Sequence, residues 1–187
     1  MQVDSQREAV PGMNRQDIEA LLLSTHAACH GWAMNCCGWN REEALDVLQT
    51  SYLKMLDGRV RFEGRSQFRT WAFGVIRITA LERRRRDRLR LSRLTAWMQR
   101  ESPRDATSPD ASTAAQLSDD SRRLRQALDM LPERQREVIH LVFYQELSVD
   151  EAAEAMGVSA GTARTHYDRA KAALRRVLGP AHREGIA

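Results

Sequence analysis

Apolar residues recur at steps of three and four along most of this chain. Ile18, Leu21, Leu22, Thr25, Cys29, Trp32 and Cys36 follow that spacing. At about 100° per residue they gather into one stripe of an amphipathic helix. Asn40 followed by Glu43 has the form of an N-cap with its reciprocal acid. It predicts a second helix that buries Leu45, Leu48, Tyr52 and Met55 and ends near Asp57-Gly58. A short polar loop over residues 62–66 leads to a third helix, with Phe68, Trp71, Ala72, Val75, Ile76 and Thr79 on one side.

The pattern resumes near Ser121. Leu124, Leu128 and Leu131 mark one helix, and Pro132 stands where a helix can start without wasting an N–H. Val138, Ile139, Leu141, Val142 and Phe143 continue the apolar positions beyond it. Ser148 with Glu151 is a capping box for a short helix to Met156. Gly157 ends that helix, Ser159 caps the next, and the last helix runs to about Leu178. Alternation of β-branched residues is almost absent, so the predicted fold class is all-α.

Between the two helical stretches lies a segment of different composition. Residues 101–120 hold Pro103 and Pro109, are rich in Ser, Thr, Ala and Asp, and carry net negative charge. Such a segment buries too little apolar area to offset its ordering entropy and reads as a flexible acidic linker. The expected organisation is an N-terminal tail over 1–13 and a helical domain over 14–100. The linker over 101–120, a second helical domain over 121–180 and a C-terminal tail over 181–187 follow. No internal repeat is visible.

Composition narrows the function classes. The chain has 187 residues, a formal net charge of +4 and a pI near 9.3. Lys occurs only at Lys54 and Lys171, so nearly all of the basic charge is Arg. Arginine pairs bidentately with phosphate and guanine edges, although codon bias gives the same composition. No apolar run approaches the roughly 20 residues that span a bilayer, and no basic flank precedes an apolar stretch at the N-terminus. Neither membrane insertion nor secretion is expected. Three cysteines, Cys29, Cys36 and Cys37, make no even disulfide framework and fit a reducing cytoplasm.

Charge placement supplies the chemistry. A short capped helix, the turn Gly157-Val158-Ser159 and a longer helix make a helix-turn-helix. Ala152 and Ala153 are small where two helices must cross closely. Ala163, Tyr167, Ala170 and Leu174 would face the core. Thr162, Arg164, Thr165, His166, Asp168, Arg169 and Lys171 are left to reach outward, as on a helix that reads a DNA groove. A plain helical hairpin with a charged face is the competing reading. The run Arg83, Arg84, Arg85 and Arg86 with Arg88, Arg90 and Arg93 is opposed locally only by Glu82 and Asp87. A helix this basic repels itself unless anions neutralise it, and a phosphate backbone does so by counterion release. Phe68, Trp71 and Phe73 lie just before it. Such aromatics either stack on unpaired bases or pack in the core. Two basic modules on one flexible tether would bind DNA through effective concentration.

His26, His30 and Cys37 fall within about 40° of each other on a helical wheel, away from the apolar stripe. Two imidazoles at i and i+4 can share a metal and a thiolate could complete the set. No fourth ligand is evident, and the expectation is buried small hydrophobes beside a surface histidine pair. No cofactor is predicted.

The residues Asp46-Val-Leu-Gln49 and Phe62-Glu-Gly-Arg-Ser-Gln-Phe-Arg-Thr-Trp-Ala-Phe-Gly-Val-Ile-Arg77, followed by the basic run, resemble region 2 of bacterial sigma factors of the extracytoplasmic function (ECF) group. Leu131-Pro-Glu-Arg-Gln-Arg-Glu-Val138, residues 147–159 and Gly161-Thr-Ala-Arg-Thr-His-Tyr-Asp-Arg-Ala-Lys171 resemble region 4. The resemblance spans about residues 14–178. It implies a promoter-specificity subunit of RNA polymerase that is not an enzyme. Region 2 would engage the β′ clamp helices of core polymerase through Asp46 and Gln49. It would open and hold the −10 element through Phe68, Trp71, Arg77, Arg83, Arg84, Arg85, Arg86 and Arg88. Region 4 would read the −35 element from Arg164, Thr165, His166 and Arg169, and meet the β flap with an apolar outer face. An anti-sigma factor that clamps both domains is the implied regulator. Two positions depart from the family pattern: Ile78 stands where many members have Asn, and His166 where Arg is usual, with Asp168 beside it. After the last helix and Gly179-Pro180 only Ala181 to Ala187 follow, so control by an attached sensor domain is not expected. The alternative is a LuxR-type helix-turn-helix regulator, which would need an upstream ligand or receiver domain. No apolar strands ending in Asp mark such a domain.

Overall fold

The computed structural model describes residues 13–98 and 119–179. The described residues form seven α-helices and one π-helical turn, with no strand among them. The expected linker falls outside them except for Asp119 and Asp120, which open a helix. Of the expected tails over 1–13 and 181–187, only Met13 is described. The chain divides at Ala80/Leu81 into two compact units.

In the first unit α1 spans Arg15–Cys36, α2 spans Arg41–Leu56 and α3 begins at Phe68, running on to Met98. Asn14 and Asp17 start α1 with a reciprocal capping box at 2.9 and 3.1 Å. At the other end of α1 the Trp39 N–H donates to Met34 at 2.8 Å and the Gly38 N–H to Asn35 at 3.4 Å. These bonds satisfy two of the carbonyls a helix end leaves unpaired. They hold Gly38 and Trp39 at φ +60 and +68 and turn the chain into the Asn40 cap of α2.

The core of this unit gathers Cys29, Trp32, Val47, Met55, Phe73 and Ile76, each almost fully buried. Burying a large side chain of this kind stabilises by about 1.5–3 kcal/mol. Trp32 carries a polar handle into that core, and its indole N–H donates to the Phe73 carbonyl at 2.9 Å, tying α1 to α3. Lys54 Nζ donates to Thr79 Oγ1 at 3.2 Å and ties α2 to α3. One expected core residue is misplaced: Leu45 is 46% exposed, because Ala44, Val47 and Leu48 supply the inner face of α2 instead.

The second unit holds α4 (Asp119–Asp129), α5 (Glu133–Ile139), α6 (Val149–Met156) and α7 (Ala160–Leu178). Leu131, Ile139 and Ala170 form its centre, with Leu128, Tyr167, Ala173 and Leu174 packed against them. Pro132 is the N-cap of α5 rather than its first helical residue. The continuation expected through Phe143 is a π-helical turn over His140–Tyr144. Its wider hydrogen bonds, such as Gln145 N–H to the His140 carbonyl at 3.2 Å, rotate the turn. Phe143 is thereby left 47% exposed, while Ile139 and Leu141 are buried. His140 is enclosed against Tyr144, with ring centroids 5.3 Å apart, and burial lowers its pKa to about 4.

Candidate nucleic-acid interface

The helix-turn-helix is built from local rules. The Ser148 side chain accepts the Glu151 N–H at 3.2 Å while Glu151 accepts the Ser148 N–H at 2.9 Å, so both donors at the start of α6 are satisfied. Gly157 closes α6 at φ +64, with Val158 N–H bonded to the Ala153 carbonyl at 3.0 Å. Ala152, Ala153, Ala155 and Met156 form the buried face against α7 and α5. Ser159 then caps α7, accepting the Thr162 N–H at 3.2 Å.

This cap and turn orient the first half of α7. Ala163 and Ala170 are buried; Thr162, Arg164, Thr165, Asp168 and Arg169 are exposed, and His166 is half-buried. Arg164 and Arg169 are the long cationic arms of this face. The two threonine hydroxyls are already engaged, Thr162 with Ser159 Oγ at 2.8 Å and Thr165 with the Gly161 carbonyl at 2.9 Å. Lys171 differs from the expectation: it is half-buried, its Nζ 5.0 Å from the Tyr167 ring centroid. Tyr167 in turn stacks on Phe143, with centroids 6.2 Å apart.

The −10 candidates divide into two groups. Arg85, Arg86, Arg88 and Arg90 are exposed on α3, and Arg83 and Arg84 are half-buried. Arg83 lies 3.9 Å from Asp87, and Arg84 pairs with Glu133 at 2.6 Å. Farther up α3 the side chains turn inward. Phe68 is 8% exposed within an aromatic cluster, 5.6 Å from Phe62 and 5.4 Å from Trp71 by ring centroids. It is a core residue, the competing reading at this position. Trp71 is half-buried, its ring 5.3 Å from Phe62 and 5.4 Å from Phe68 by centroids. Arg77 is only 6% exposed, because it lies one helical turn from Phe73 on the face that packs inward. Assigning it to DNA needs correction. Ile78, one residue on, is 55% exposed.

On α2, Asp46 and Gln49 are both exposed. Leu45 and Leu53, exposed by 46% and 53%, flank them within about 100° on the same helix. Sequence reasoning missed these two leucines. Their only signal was an apolar residue at each edge of a polar stripe.

The metal set expected as a weak candidate does not assemble. Cys37 is 7% exposed and buried while His26 is on the surface, and no group of three ligating side chains occurs among the described residues. No helix among them is long and apolar enough to cross a membrane.

Two helical units, one a capped helix-turn-helix with arginines on its second helix, define a DNA-binding protein by fold and site. Residues 23–90 match Sigma-70 region 2 and residues 121–174 match Sigma-70, region 4. The RNA polymerase sigma factor CarQ of Myxococcus xanthus is 34% identical over 139 residues, covering 73% of this chain and 75% of CarQ. The RNA polymerase sigma factor YlaC of Bacillus subtilis (strain 168) is 29% identical over 178 residues, 95% of this chain and 96% of YlaC. The fold also matches the sigma factor RpoE of Bartonella quintana, solved in complex with the anti-sigma factor NepR. There the TM-score is 0.59 at 22% identity, over 87% of this chain and 97% of RpoE. The chain belongs to the sigma-70 family, in its extracytoplasmic function group. Sigma factors are non-enzymatic transcription initiation factors, and residues 23–90, ahead of the helix-turn-helix, match region 2 and not a ligand or receiver domain.

Proposed function

We propose that this chain binds core RNA polymerase and directs it to promoters through two separate DNA contacts. The carrying observation is the exposed cationic face of α7, where Arg164 and Arg169 project from a helix whose start is fixed by Gly157 and Ser159. This is the geometry with which a recognition helix enters the major groove, here at the −35 element. Arg164, Thr165, His166 and Arg169 face the bases and phosphates. Thr162 stays with the cap, and Lys171 supports the helix from the Tyr167 side.

The −10 contact falls to the exposed arginines Arg85, Arg86 and Arg88 with half-buried Trp71, an aromatic on which an unstacked base can stack. Phe68 and Arg77 support that surface from below. The α2 stripe of Leu45, Asp46, Gln49 and Leu53 meets the β′ clamp helices. Its two leucines add apolar area to a contact otherwise made of one charge and one amide. Exposed Phe143 and Tyr144 on the π-helical turn supply the apolar outer face for the β flap. An anti-sigma partner, by analogy with the RpoE–NepR complex, holds the protein inactive until a signal arrives. Its site of action is the cytoplasm.

Core polymerase pull-down with single variants tests this division of labour. Gln49→Ala and Leu53→Ser lower retention of core polymerase about tenfold, whereas Arg164→Ala leaves retention unchanged and lowers promoter binding. Equal retention of all three variants would contradict the assignment of α2 to polymerase.

A further inference from the structure

A hydrogen bond crosses the seam between α1 and α2 at an exposed histidine: His26 Nδ1 lies 3.2 Å from the Tyr52 hydroxyl. In the tautomer that carries its hydrogen on Nδ1, His26 donates to the Tyr52 oxygen.

That tautomer leaves the lone pair of His26 on Nε2, the nitrogen not engaged by Tyr52, and His26 is an exposed residue. An imidazole that donates one nitrogen to a protein oxygen and offers the other is the arrangement metal-ligating histidines use. His30 stands one helical turn away and is partly exposed, its ring stacked on His26 with centroids 6.4 Å apart and planes at 30°. With metal–nitrogen bonds of about 2.0 Å, a shared ion would draw the two rings about 1 Å closer, within reach of side-chain rotation on a helix surface. Tyr52, whose ring meets His26 edge-on at 6.0 Å, fixes the orientation of His26 from α2.

We propose that His26 and His30 form a two-imidazole site on α1 for a divalent transition metal ion such as Zn²⁺, with water in the remaining positions and Tyr52 as the positioning residue. Cys37 takes no part, being buried. A bound ion stabilises the folded first unit by mass action, so its melting temperature rises with metal concentration.

The test uses the full chain, stripped with chelator and titrated with Zn²⁺ against a fluorescent competitor, with thermal melting in parallel. One equivalent binds in the micromolar range and raises the melting temperature. His26→Ala and His30→Ala each weaken binding at least tenfold, and both sites are on the surface, so folding is retained. Cys37→Ser leaves affinity unchanged. Tyr52→Phe weakens binding several-fold, while His26→Ala together with Tyr52→Phe is no weaker than His26→Ala alone. Absence of micromolar binding, equal binding by the His26→Ala/His30→Ala double variant, or loss of binding in Cys37→Ser would each overturn the proposal.

Discussion

Arg134 Nη1 lies 3.1 Å from the Glu137 carboxylate, which is 3% exposed, and 3.4 Å from the Met156 carbonyl at the end of α6. One guanidinium thus meets a buried acid on α5 and the last turn of the first helix of the helix-turn-helix. Arginine suits this place because the two hydrogens of Nη1 lie in the fixed guanidinium plane and reach two oxygens at once.

Replacing Arg134 with Ala removes the cation from a buried carboxylate and costs the second unit about 1–3 kcal/mol. Arg134→Lys recovers only part of it, because a flexible, strongly hydrated ammonium is not held in place as the guanidinium plane holds Nη1. Hydrogen exchange of the α5 to α7 amides in the full chain measures the loss locally. Unchanged protection in Arg134→Ala would mean that the pair is energetically idle.

Gly157 and Gly161 give opposite expectations from equal space. A Cβ at either position meets nothing within 4 Å, but Gly157 has φ +64 while Gly161 lies inside α7. Gly157→Ala forces a side chain into the left-handed region and destabilises by about 1–2 kcal/mol. Gly161→Ala removes glycine's entropy cost in a helix and stabilises by about 0.5–1 kcal/mol. Urea melts followed by exchange at α6 and α7 separate the two.

The buried His140 makes the second unit sensitive to acid. Its folded pKa of about 4 lies below the ordinary value of 6.5, so the unfolded chain binds more protons between those two values. The neutral imidazole's contribution is present above about pH 6.5 and is lost as pH falls through 4, a difference of about 3 kcal/mol by linkage. Stability of α5 to α7 measured from pH 7 to 4 falls in wild type, and more shallowly in His140→Gln.

Much of this was legible in the sequence because it is local. The Ser148–Glu151 box, the Gly157 stop and the Ser159 cap are contacts within four residues, so their spacing alone specifies them. The side of a helix that ends up buried is another matter. Leu45, Phe68, Arg77 and Phe143 have the residue types expected of their predicted roles. The structure places each of them differently, through partners far along the chain or through a change of helix type. Phe68 packs with Phe62 and Trp71, Arg77 is buried one turn beyond Phe73, and Phe143 is turned outward by a five-residue turn that no spacing rule announces. The His26–Tyr52 contact likewise joins residues 26 positions apart.

The exposed arginines of α3 predict the salt response of promoter binding. Changing Arg85, Arg86 and Arg88 together to Gln removes up to three phosphate contacts, so the slope of log affinity against log salt becomes shallower by about 2–3. Arg164→Ala weakens binding by about 1–3 kcal/mol and relaxes sequence preference at the −35 element. Binding of the reconstituted holoenzyme to a promoter fragment across a salt series reads both. An unaltered slope in the triple variant would make the run a solvated face only.

The central claim is that this chain gives core RNA polymerase its choice of promoter. Transcription of fragmented genomic DNA from its own source, by core polymerase with and without the purified chain, tests it directly when transcript 5′ ends are mapped. The account predicts a discrete set of new start sites that share two upstream sequence elements and that disappear with Arg164→Ala. Start sites indistinguishable from those of core polymerase alone would contradict it.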